Sequence, residues 1–126
     1  MSSLVKKFVT SCTLTFKAFE HEVIISKNQS NMWNFMAVNK RKDKVYAVYC
    51  APRLASAKAL VKVAMKKVPP DARLVVVTSE FTIEEKMQAE QDGYTLVTLS
   101  LLSKYGTEML DLRQRDGEEV SNLLSA

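Results

Sequence analysis

A chain of 126 residues with a net charge of +4 fits one α/β-sized domain, long enough to bury about two thirds of the surface that its unfolded form exposes. Hydrophobic residues at 47% and charged residues at 25% exclude disorder as the default state, and apolar runs of only a few residues exclude a membrane span, which needs roughly 20. Lys6 and Lys7 precede no signal-peptide segment, so a soluble, cytoplasmic chain is expected, with Cys12 and Cys50 as reduced, partly buried thiols.

From Ser2 or Ser3 as a helix cap, Leu4, Val5, Phe8, Val9, Cys12, Phe16 and Phe19 recur at helical spacing, which predicts a helix to about Phe19. A strand through Thr13-Leu14-Thr15-Phe16 competes with it, because alternation and β-branching both favour extended chain. Glu22-Val23-Ile24-Ile25 reads as a short strand, and the polar run Lys27 to Asn31 ends it. Met32 to Val38 resumes an extended pattern that places Trp33, Phe35 and Ala37 on one face. The turn Lys40-Arg41-Lys42-Asp43-Lys44 then reverses the chain into a strand at Val45–Ala51.

Leu54, Ala57, Val61, Ala64, Met65 and Val68 fall on one helical face, with Lys58, Lys62 and Lys66 as an i, i+4, i+8 row beside it. Pro69-Pro70 stops that helix, and Leu74-Val75-Val76-Val77 forms a buried strand within Arg73–Thr78. Strand, helix, strand in this order is a parallel β-α-β unit, and the other elements attach to it. Thr82 followed by Glu85 is a capping box for a short helix ending near Gly93, with Ile83, Met87 and Ala89 as its inner face. Tyr94–Leu99 is a fifth strand, and Ser100 caps a further helical stretch that ends or breaks near Gly106. Residues 113–126 read as a frayed tail or a last short helix of this single domain, 1–126.

The order helix, strand, strand, strand, helix, strand, helix, strand, helix resembles the restriction-endonuclease-like nuclease superfamily. Val45-Tyr46-Ala47-Val48-Tyr49-Cys50, the lysine-bearing helix and Leu74-Val75-Val76-Val77-Thr78-Ser79-Glu80-Phe81-Thr82 are similar to its Mrr-type branch. The resemblance implies a three-layer core, a mixed sheet of about five strands with helices on both faces. It also implies an Asp at the start of the second hairpin strand and a Glu/Gln-x-Lys on the third, where carboxylates hold Mg²⁺ and the lysine helps to activate water. Here Tyr49 stands at the acidic position, Ala51 at the lysine, and Asn31 or Asn34 near the Asp. Arg53 stays protonated and makes a poor base. The resemblance thus implies a nuclease scaffold without nuclease chemistry.

Other chemistry is sparse. His21, the single histidine, lies between Glu20 and Glu22 and is expected on the surface; Cys12 and Cys50 lack zinc-ligand spacing, and Gly93, Gly106 and Gly117 form no phosphate-cradling loop. Neither a metal nor another cofactor is expected. Residues 1–79 carry 14 Lys and Arg against four acidic residues, a net of +10, whereas residues 80–126 carry four against ten, a net of −6. That asymmetry suits two functions. One is sequence-independent nucleic-acid binding by an inactive nuclease-like domain through Lys40, Arg41, Lys42, Lys44, Arg53, Lys58, Lys62 and Lys66. The other is a protein-interaction or self-association module on the same scaffold, and a plain solvated helix flank accounts for the lysine row in that case.

Overall fold

The computed structural model describes residues 3–25, 33–39, 44–106 and 110. Helix α1 (Ser3–Ala18) leads into β1 (Glu22–Ile25), β2 (Phe35–Asn39) and β3 (Lys44–Cys50); α2 (Lys58–Lys67), β4 (Arg73–Thr78), α3 (Ile83–Asp92), β5 (Thr95–Thr98) and α4 (Leu99–Tyr105) follow. The sheet order is β1-β2-β3-β4-β5. β2 runs antiparallel to both β1 and β3, while β3, β4 and β5 are parallel, so the sheet is mixed. The predicted tail at 113–126 lies outside the described residues.

Period-two patterning assigns the strands' side chains to two cores. Phe35, Ala37, Tyr46, Val48, Cys50, Val75, Val77 and Val97 pack under α1 and α4, against Cys12, Phe16 and Leu102. Ala47, Leu74, Val76 and Leu96 pack on the opposite face, under Val61 and Ala64 of α2 and Ala89 of α3. The fold is therefore α/β in three layers, with a five-stranded mixed sheet between two helical layers. Among the described residues no helix is long and apolar enough to cross a membrane.

The competition over Thr13–Phe16 resolves as helix. The hydroxyls of Thr10, Thr13 and Thr15 donate to the carbonyls of Lys6, Thr10 and Ser11 at 2.7–2.9 Å, which accommodates β-branched residues on the solvent side, while Cys12 and Phe16 are fully buried. Burial of that apolar stripe outweighs strand propensity.

Five expectations need correction. His21 is buried rather than exposed: Glu20 adopts a left-handed φ of 65°, and the turn tucks the imidazole edge-on to Phe16, ring centres 5.4 Å apart. Its Nδ1 lies 2.8 Å from the Phe19 carbonyl oxygen. Trp33 does not share the face of Phe35 and Ala37, because β2 begins only at Phe35 and the bend before it turns the indole to the α2 side. The central helix is broken near its start into a 3₁₀ turn, Leu54–Ser56, and α2, with the join at Ala57. Its apolar stripe keeps Leu54, Ala57, Val61 and Ala64 buried. In α3 the capping box forms as expected, but it sets the helix phase so that Ala89 faces inward and Ile83 and Met87 stay exposed. Finally, the hydroxyl of Thr98, not Ser100, caps α4, accepting the Leu101 amide at 3.1 Å.

Candidate functional site

The carboxyl end of β3 is where the resemblance would place catalytic groups, and here backbone hydrogen bonds occupy it. Asn34, just before β2, accepts the Cys50 amide through Oδ1 at 2.7 Å and donates its own amide to the Val48 carbonyl at 2.8 Å. The Ala51 amide donates to Val77 at 2.8 Å, and the Ser79 amide donates to Pro52 at 3.2 Å, so the ends of β3 and β4 are stitched together. Tyr49 is half-buried, and that burial pushes its phenol above the ordinary range. Ala51 is buried. These groups terminate a sheet; they offer neither a carboxylate pair nor an ammonium. Among the described residues no three His, Cys, Asp or Glu side chains come together to hold a metal ion.

Two open grooves flank this end. One, about 700 Å³, runs between Pro52–Ala55 and Ser79–Thr82, and the other, about 470 Å³, lies between Leu4 and Val5 of α1 and the Tyr49–Arg53 segment. Arg53, exposed, borders both.

The predicted cations among the described residues lie at the two ends of β3 and along α2. Lys40, Arg41 and Lys42 lie outside the described residues. Lys44 opens β3, half-buried, and Arg53 follows its other end; seven strand residues at about 3.3 Å each separate the two ends by about 20 Å. Lys58, Lys62 and Lys66 are exposed on α2 as expected. Two of them, however, face α3: the groove between the helices has Lys58 and Lys62 on one wall and Glu84, Glu85 and Asp92 on the other, above Leu54, Val61 and Tyr94. Lys58 Nζ stands 3.8 Å from Glu85 Oε2, while Glu85 Oε1 accepts the Thr82 amide at 2.9 Å. The first two lysines of the row therefore meet acidic residues of α3 within the fold.

The two sheet edges differ in a way that sequence reading did not reach. At β5, Lys86 extends from α3 to donate to the Leu96 carbonyl at 2.8 Å, its ammonium 5.9 Å from the centre of the Phe81 ring. Burial lowers its pKa, and the Glu90 carboxylate opposes that shift. A lysine over a strand edge obstructs further pairing. β1 has no such cover among the described residues. Its outer side pairs with no strand among them, and Ile24 and Ile25 are 51% and 66% exposed. The register sets Ile24 beside Met36 on the α2 face and Ile25 beside Phe35 on the α1 face, so the edge is apolar on both sides of the sheet.

Comparison of the chain with protein-family models, with curated proteins and with solved structures returns no match.

Proposed function

We propose that this chain is a non-catalytic association module on a restriction-endonuclease-like scaffold, and that it adds a β-strand, in the first instance from a second copy of itself, to the edge at β1. One observation carries the reading: among the described residues β1 pairs on one side only and exposes Ile24 and Ile25, whereas the sheet's other edge is guarded by Lys86. A two-fold axis through Ile24 aligns Ile24 with Ile24 of the second copy on one face, and Val23 with Ile25 of the second copy on the other. The pairing is then isologous, with apolar contacts at its centre and Glu22 at each end. Restriction-endonuclease-like order supports the scaffold, and the tyrosine and alanine at the positions of the acid and the lysine support a role without catalysis.

The test is sedimentation equilibrium of the full chain across a concentration series, beside Ile24→Lys. Wild type is expected to dimerise and the variant to remain monomeric, melting as wild type does at dilutions where it is monomeric, because Ile24 is exposed and contributes little to the monomer core. A wild type that stays monomeric up to its solubility limit overturns the reading.

The second reading, nucleic-acid binding, is favoured by the exposed row on α2. Lys58 to Lys66 spans about 12 Å at 1.5 Å per residue, the axial rise of three to four phosphates of one strand. The opposing carboxylates of α3 make it the weaker of the two.

A further inference from the structure

Cys12 and Cys50, 38 positions apart in sequence, belong to one buried cluster, at 0% and 5% exposure. The Cys12 thiol is close enough to hydrogen-bond that of Cys50, and this contact, followed by burial, pushes the Cys50 thiol far above its ordinary value. A disulfide between them would join α1 to β3, two elements that pack against each other in that cluster. Cys50 also lines the groove of about 470 Å³ beside Leu4 and Val5, with Arg53 at its border. A small oxidant can therefore approach the Cys50 sulfur without global unfolding, and a guanidinium there suits an anionic one.

We propose that Cys12 and Cys50 form an oxidisable pair, and that a low-molecular-weight disulfide such as oxidised glutathione, entering by that groove, converts them to an intramolecular disulfide that staples α1 to β3. The Cys50 thiol loses its proton and its thiolate attacks one glutathione sulfur. The glutathione S–S bond breaks, one glutathione leaves as thiolate, and a mixed disulfide remains on Cys50. The Cys12 thiolate then attacks the Cys50 sulfur, expels the second glutathione and closes the Cys12–Cys50 bond. Two electrons and two protons leave the protein, and one glutathione disulfide becomes two glutathione molecules. Scarce thiolate makes the reaction slow at neutral pH and faster by about tenfold for each unit of alkalinity.

The experiment incubates the folded full chain with oxidised glutathione at mildly alkaline pH, alkylates remaining thiols in denaturant and reads the intact mass. The expected product has lost two mass units and taken up no alkylating agent. It yields one cross-linked peptide containing Cys12 and Cys50, melts higher than the reduced chain and reverts with dithiothreitol. Cys12→Ser should stop at a glutathione adduct on Cys50; if that variant does not fold, the wild-type mass and peptide map decide alone. Two alkylated cysteines, a persistent glutathione adduct on wild type, or cross-links only between chains would each overturn the proposal.

Discussion

Asn34 Oδ1 accepts the Cys50 amide at 2.7 Å, so this side chain serves as backbone support at the end of β3. Asn34→Ala strips that part-buried amide of its acceptor and is expected to lose about 1–3 kcal/mol in urea denaturation. Asn34→Asp keeps an acceptor at the same place and should lose less. An Asn34→Ala chain as stable as wild type would show that water replaces the side chain at no cost.

Val76 is fully buried beneath α2, in the middle strand of the parallel wing. Val76→Asp is expected to unfold the domain, since an unpaired buried carboxylate costs several kcal/mol against a total stability of about 5–15. Circular dichroism checks it. A cooperative melt near the wild-type temperature would contradict the packing of β4.

The strand at Arg73–Thr78 was legible to the residue because four consecutive apolar β-formers between Pro70 and Ser79 admit little else, and the Thr82–Glu85 capping box was equally local. The stripe of α2 survived even though its helix broke at Ala57, because helical periodicity reports burial more robustly than continuity. Some expectations failed locally, as where Thr98 rather than Ser100 caps α4, and others depended on partners brought in by the fold. His21 reads as polar between two glutamates until Phe16 and Tyr46 are placed against it. The lysine row reads as a free cationic surface until α3 brings Glu85 to Lys58. Strand order is not encoded in any one segment, so nothing local to Glu22–Ile25 announces that it stands at the end of the sheet among the described residues.

Alkaline pH offers a prediction from Cys50. Its folded pKa is raised above the ordinary 9.0, so above pH 9 the unfolded chain releases a proton that the folded chain retains. Stability conferred by this group is complete below pH 9 and falls above it by about 1.4 kcal/mol per pH unit. Lys86 acts in the opposite sense: its lowered folded pKa makes stability rise with pH until the unfolded lysine also loses its proton, near 10.4. The comparison of wild type with Cys50→Ala cancels the lysine. Between pH 9 and 10, where the phenols of Tyr49 and Tyr94 add little, urea titrations should give the variant a slope more positive by about 1 kcal/mol per unit, since the unfolded thiol is only half ionised at pH 9. Parallel slopes would place Cys50 in contact with water.

The lysine row separates the two functional readings. Replacing Lys58, Lys62 and Lys66 by Gln should leave the fold intact, because all three side chains are exposed and Gln nearly matches the helix propensity of Lys. Removing the Lys58–Glu85 pair costs no more than about 1 kcal/mol, as for surface ion pairs generally. If nucleic acid lies along α2, binding weakens and the slope of log K against log salt flattens by roughly one unit for each phosphate that is no longer neutralised. The geometry refines the expected change to about two units, since Glu85 already engages Lys58 and leaves Lys62 and Lys66 to meet phosphates. A change of three would mean that Lys58 leaves Glu85 to meet a phosphate. Dimerisation through β1, on the opposite side of the sheet order from β5, should be untouched by the triple change. Filter binding with duplex and single-stranded DNA over a salt series, run beside sedimentation equilibrium, reads both properties on the same samples. An unaltered salt slope would remove α2 from the nucleic-acid reading, leaving Lys40-Arg41-Lys42 as its remaining cationic cluster.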